Sequence, residues 1–149
     1  EKDFLASINV PTARYMEAAG PEALGRALRE FGAPVILKSA EWGYDGKGQV
    51  MVRHAAEAEP AWLEMRRHAP SSPAIVESFV DFRAEVSVIV ARGLDGMIAT
   101  YVAVENKHHN HILDQTIAPA RLPQEVMERA EVVARHIVEG LDFIGLLAV

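Results

Sequence analysis

The sequence contains no cysteine, which excludes disulfides, thiolate nucleophiles and cysteine-ligated zinc or iron–sulfur centres. Long apolar runs are missing as well. None approaches the roughly 18 residues that span a bilayer, and the N-terminus lacks a basic-then-apolar signal pattern. Basic charge is scarce: 15 Lys and Arg stand against 21 Asp and Glu, for a formal net charge of -6. Such a balance gives no electrostatic reason to bind nucleic acid, so an anionic ligand must be held by a local arrangement. Neither a membrane nor a nucleic acid is an expected partner, and the lack of cysteine fits a cytoplasmic location. What remains is 149 residues, 50% of them hydrophobic. A chain of this size buries about 68–70% of its unfolded surface, enough for one domain or two small subdomains without staples.

Read for organisation, the chain alternates helical and strand patterns with no repeat or long linker. Glu1 to Ile8 predicts a short helix ended by Val10-Pro11, because the residue before proline leaves the helical region. Pro21 opens a better one, with Leu24, Ala27, Leu28 and Phe31 on one face and Gly32 as the C-cap. Pro34 to Lys38 and Gln49 to Arg53 read as strands, with a glycine-rich segment between them. Ala55 to His68 is helical, with Ala58, Trp62 and Met65 inward, and 70–73 is a loop. Three strand-like runs follow, over Ala74 to Phe79, Ala84 to Ala91 and Met97 to Val104. Asp95-Gly96 signals a hairpin between the last two. Pro123 starts a helix with Val126, Ala130, Val133, Ile137 and Leu141 at helical spacing, and Phe143 to Val149 is a terminal apolar strand. The order implies an α+β fold, with helices on one face of a largely antiparallel sheet. Both ends read as cut from something larger.

Three segments could carry chemistry. Between Lys38 and Gln49, Gly43, Gly46 and Gly48 make a loop whose backbone can approach a ligand. Its amides could form a nest for phosphate oxygens, with Lys38 and Lys47 as point charges. An ordinary glycine-rich turn with solvated lysines is the alternative, and a Walker loop is excluded because no helix follows. The second segment runs from Ile75 to Val88. Glu77 ends one strand, a short connector follows, and Glu85 opens the next. Unpaired backbone at the connector could meet an adenine edge and a carboxylate could grip ribose hydroxyls, or both carboxylates could simply be exposed at strand ends. The third, Glu105 to Asp114, crowds His108, His109 and His111 together. No helical i, i+4 pair supports a zinc site. A polar loop lining a ligand pocket, or a solvated loop, fits better. Arg14, Arg66 and Arg67 read as surface charges.

Taken together, the order is more specific than any part. VILKS ending at Lys38-Ser39, GYDGKGQ from Gly43 to Gln49, IVESFVDFRAEVSVIVAR from Ile75 to Arg92, and ENKHHNHILDQTIAPA from Glu105 to Ala120 resemble the ATP-grasp fold. Within that superfamily they resemble the 5-(carboxyamino)imidazole ribonucleotide synthase family, over nearly the whole chain. The resemblance implies a carbon–nitrogen ligase of purine biosynthesis, which carboxylates 5-aminoimidazole ribonucleotide with bicarbonate at the expense of ATP. It implies that Lys38 meets the ATP phosphates and that Gly43, Tyr44, Asp45, Gly46, Lys47, Gly48 and Gln49 form a flap over them. Tyr44, Asp45 and Lys47 would also lie near the imidazole ribonucleotide, Asp45 and Lys47 in catalytic roles. Glu77, Ser78, Phe79 and Val80 would border adenine at a hinge, Glu85 would hold the ribose, and His108 would join the nucleotide site.

The implied division is a flap subdomain over 1–76 with its loop at 39–48, a hinge at 77–82, and an incomplete second subdomain over 83–149. Mg2+ would bridge the phosphates, with its carboxylate ligands expected beyond Val149, so the piece alone would be inactive. Homodimers are common in this family. The rival readings are another ATP-grasp ligase or carboxylase, such as a biotin carboxylase, a non-catalytic nucleotide-binding module, and a histidine-loop metal protein.

Overall fold

A computed structural model describes residues 1–40, 48–110 and 112–149. The chain begins with α1 (Lys2–Ser7), β1 (Tyr15–Ala18), α2 (Glu22–Phe31), β2 (Val35–Ser39) and β3 (Gln49–Val52). A 3-10 turn, Ala55–Glu57, leads into α3 (Ala58–His68), followed by β4 (Ala74–Ser78), β5 (Glu85–Ser87) and β6 (Ile89–Arg92). The remainder is β7 (Ile98–Thr100), β8 (Val104–His109), β9 (Ile112–Ile117), α4 (Gln124–Gly140) and β10 (Gly145–Ala148). These elements form two compact units, one of residues 13–81 with 110–112 and the other of 1–12, 82–109 and 113–149.

In the first unit, β1-β4-β2-β3 make a four-stranded sheet in which every pair is antiparallel. Side chains alternate across a strand, so one face carries Met16, Val35, Leu37, Val50, Val52 and Val76. These pack with Leu24, Ala27, Leu28 and Phe31 of α2 and Ala61, Trp62 and Met65 of α3. Both helices therefore cover one face, as the amphipathic spacing predicts. Gly32 ends α2 at φ 86°, a left-handed value that glycine reaches at little cost.

Two arginines expected to be plain surface charges instead tie down backbone. Arg14 donates to the carbonyls of Glu30 and Phe31 at 3.0 and 2.7 Å, satisfying the open C-terminus of α2, and lies 4.9 Å over the Phe31 ring. Arg66 stacks 4.4 Å from Trp62 and binds the carbonyls of Ala69, Pro70 and Ser72, holding the loop before β4.

In the second unit the strands form two three-stranded sheets, β10-β6-β7 and β5-β8-β9. The run Ala84 to Ala91 is not one strand. It breaks at Val88, whose N–H and C=O pair with Val149, so Glu85–Ser87 joins one sheet and Ile89–Arg92 the other. The run from Met97 to Val104 breaks likewise, into Ile98–Thr100 and the start of β8. Nor is Glu105 to Asp114 described as a loop: residues 105–109 belong to β8 and 112–114 to β9, with Asn110 at φ 50° after β8. Polar side chains on both faces hide a strand from a hydrophobic-pattern reading.

The α4 stripe is also displaced. Ala134 and Val138 are buried and Met127 and Ala130 pack beside them, while Val126 and Leu141 stay exposed. Finally, α1 belongs to this unit, outside the flap half where its place in the sequence suggests it should lie. His136 Nε2 is 2.7 Å from the Ile8 carbonyl. A Cβ on Gly140 would come within 3.0 Å of Ile8 Cγ2 and 3.4 Å of the Phe4 ring, so glycine there lets α1 lie against α4.

Candidate functional site

The helix-free face of the four-stranded sheet is the one that carries charged side chains among apolar ones. Strand register puts Tyr15, Glu77, Ile36 and Met51 in one row and Glu17, Ile75, Lys38 and Gln49 in the next. Lys38 and Glu77 are diagonal neighbours on antiparallel strands, within reach of a long side chain. Lys38 Nζ lies 2.9 Å from Glu77 Oε2, with the Glu77 side chain 11% exposed and that of Lys38 36%. An ammonium paired with a mostly buried carboxylate keeps its orientation and remains open on one side. It can therefore present a fixed cation to an anion.

Both partners sit where the sheet gives way to the segments singled out in the sequence. Beyond Lys38 the chain enters the glycine-rich loop. Its Gly43, Tyr44, Asp45, Gly46 and Lys47 lie outside the described residues. Gly48 closes the loop: it is buried, and its carbonyl accepts the Ser39 N–H at 2.8 Å. A Cβ there would meet Ser39 Oγ at 2.5 Å, so the two strands approach closely at the loop's root. Gln49 follows, opposite Lys38 in the ladder.

Beyond Glu77, the Ser78 N–H donates to the Arg14 carbonyl at 2.8 Å and the Phe79 N–H to that of Pro34 at 3.4 Å. Phe79 and Val80 are 40% and 52% exposed. The chain thus leaves the end of β4 with two exposed apolar residues.

In the second unit, Glu85 and His108 meet by the same diagonal geometry. Glu85 is opposite Asn106 in the β5–β8 ladder, and two residues on His108 Nδ1 lies 3.4 Å from Glu85 Oε2. The structure thus brings together Lys38 with Glu77, and Glu85 with His108.

Sequence reasoning missed the residues that fill out these faces. β1, which adds Tyr15 and Glu17, is too short for a periodic signal. Asn106 falls in a stretch that reads as loop, Thr116 lies just beyond it, and Ser87 lies outside any nucleophile pattern. The alternation Asn106, His108 in β8 is the available clue. Among the described residues, no group of three His, Asp or Glu side chains could hold a metal ion. His111 lies outside the described residues.

Antiparallel sheet, one-sided helices, a glycine-rich loop between adjacent strands and a lysine–glutamate pair at its root define an ATP-grasp architecture. The ATP-grasp domain family matches residues 3–149, and the chain belongs to that family. Among curated proteins it is 42% identical, over 100% of its length, to 15% of the bifunctional purine synthesis protein purC/E of Dictyostelium discoideum. It is 37% identical, again over 100% of its length, to 38% of the N5-carboxyaminoimidazole ribonucleotide synthase of Bacillus subtilis. A solved ADP complex of an N5-carboxyaminoimidazole ribonucleotide synthetase superposes with a TM-score of 0.85 at 36% identity, over 99% of this chain and 38% of that one. The chain thus spans well under half the length of these relatives. A biotin carboxylase of Campylobacter jejuni in complex with an ATP analogue reaches a TM-score of 0.88 at 22% identity, covering 99% of this chain and 34% of that one. That likeness shows the fold alone.

None of the described helices is long and apolar enough to cross a membrane.

Proposed function

We propose that this chain is the ATP-binding portion of an N5-carboxyaminoimidazole ribonucleotide synthase. The observation that carries the reading is the Lys38–Glu77 pair, 2.9 Å apart on the helix-free face at the root of the glycine-rich loop. Lys38 meets the phosphates of ATP, and Glu77 holds the ammonium in place. Residues 39–48 act as the flap. Within it Asp45 and Lys47 serve the imidazole ribonucleotide, and Gly43, Tyr44, Gly46, Gly48 and Gln49 supply close backbone approach to the phosphates.

Residues 77–82 are the hinge. Among the described residues, the backbone N–H and C=O of Val80 have no partner, which leaves them for an adenine edge, beside Ser78 and Phe79. Glu85 accepts hydrogen bonds from the ribose hydroxyls and His108 supports it.

In the parent reaction, bicarbonate oxygen attacks the γ-phosphorus of ATP, giving carboxyphosphate and ADP. The amine of 5-aminoimidazole ribonucleotide then forms a bond to the carboxyl carbon, and phosphate leaves. Neutralising the phosphate charge and excluding water from carboxyphosphate are what this portion contributes. Mg2+, when bound, adds charge neutralisation on the phosphates. The chain's own residues act on the nucleotide directly. The enzyme is cytoplasmic and homodimeric.

Titration with a non-hydrolysable ATP analogue tests the site. Lys38→Ala and Glu77→Ala should each weaken binding about tenfold or more. Unchanged affinity in both removes the nucleotide site. Phosphate release by the longer protein that carries this chain should require 5-aminoimidazole ribonucleotide. Release with biotin or another acceptor instead would favour a different ATP-grasp ligase, and ATP binding with no carboxylation a non-catalytic module.

A further inference from the structure

We infer that Asn106 is a positioning residue that locks the β5–β8 register, and with it the place of Glu85 and His108. The inference rests on the nucleotide-site reading above. Asn106 is the Cα partner of Glu85. Its Nδ2 donates to Ser87 Oγ at 2.9 Å, and its Oδ1 accepts from Thr116 Oγ1 at 3.1 Å. One amide therefore bridges three strands, on the face that carries Glu85, Ser87 and His108.

The bridge adds to the packing of Val86 against the buried cluster of this unit. β5 is only three residues long, so its backbone ladder contributes few hydrogen bonds. Neither of the residues it positions is held by burial: the Glu85 and His108 side chains are 48% and 33% exposed. A slip of one residue would turn Glu85 to the opposite face, because side chains alternate with period two. The amide opposes that slip through its bond to Ser87, while the bond from Thr116 of β9 fixes the orientation of the amide itself. Fully satisfied polar networks specify a single arrangement in this way.

The test is binding of ADP, 2′-deoxy-ADP and 3′-deoxy-ADP to the 149-residue chain. If Glu85 holds the ribose, wild type prefers ADP to the deoxy forms and Glu85→Ala loses that preference. Asn106→Leu, of similar shape but unable to hydrogen bond, should reduce the preference about fivefold, with no further loss when combined with Glu85→Ala. Ser87→Ala and Thr116→Val, each removing one bond and leaving the amide, should produce smaller reductions and keep the chain folded. A lower melting temperature with an unchanged ratio among the three nucleotides, in Asn106→Leu or in both milder variants, would overturn the inference. A wild type that ignores the ribose hydroxyls would sink the Glu85 assignment, and this proposal with it. Loss of preference in Glu85→Ala but not in the Asn106, Ser87 and Thr116 variants would overturn the proposal alone.

Discussion

The two units hold their charged pairs by different means. Lys38 and Glu77 stand on a sheet whose other face is closed by two helices over Leu24, Leu37, Met65 and Val76, all fully buried. Glu85 and His108 stand on a three-stranded sheet in a unit whose buried cluster is Val88, Val90, Ala103, Ala134 and Val138. In that unit Ile89, Val132 and Leu146 are 44%, 64% and 68% exposed. Where the core is thick, burial fixes the Glu77 carboxylate, and the ion pair fixes Lys38 against it. Where it is thin, side-chain hydrogen bonds such as those of Asn106 take over that task.

The sharpest way to break this contrast is one substitution made twice. Val76 and Val138 are both fully buried, so Val→Ala removes the same atoms in each. Val76→Ala, enclosed by sheet and helices, should cost roughly 2–3 kcal/mol, and Val138→Ala, in a thinner shell able to relax, about 1–2 kcal/mol. Denaturant unfolding checks the pair. Equal costs would mean that the second core packs as rigidly as the first.

A smaller effect is expected at the loop root. Gly48→Ala would place its Cβ 2.5 Å from Ser39 Oγ but 3.5 Å from Ser39 Cβ. The hydroxyl, not the backbone, must move, so the cost should be about 1 kcal/mol. Ser39→Ala in the same chain should recover most of it. If it does not, the tight approach lies in the backbone.

Smallest of all is an acid effect at the turn before α3. The Glu57 carboxylate accepts the Arg53 and His54 N–H groups at 2.6 and 3.4 Å. The Arg53 bond, above all, holds its pKa below the usual 4.5. A depressed folded value means that this carboxylate stabilises the fold above the unfolded pKa and loses that contribution as pH falls through the folded one. Glu57→Gln should therefore flatten the acid limb of melting temperature against pH below about pH 4.5. An unchanged slope would show that the turn adds nothing to acid stability.

Much of this could be read without coordinates. The stripe Leu24, Ala27, Leu28 and Phe31 located α2 and its buried face, and the apolar runs on either side of the glycine-rich segment located β2 and β3. The order of Lys38, the glycines, Glu77 and Glu85 pointed to the ATP-grasp family. All of these are local: period, punctuation and spacing lie within a few residues of each other.

What escaped was pairing. That Val88 turns to Val149 and divides one apolar run between two sheets, that α1 lies against α4, and that Asn106 joins Ser87 and Thr116 all depend on partners distant along the chain. So does the 2.9 Å meeting of Lys38 with Glu77. The sequence by itself determined which residues could form helices and strands and where a glycine-rich segment divides two of them, because hydrophobic period and glycine placement act at short range. Only the tertiary structure decided which strand lies beside which, because register is selected by the whole buried face at once.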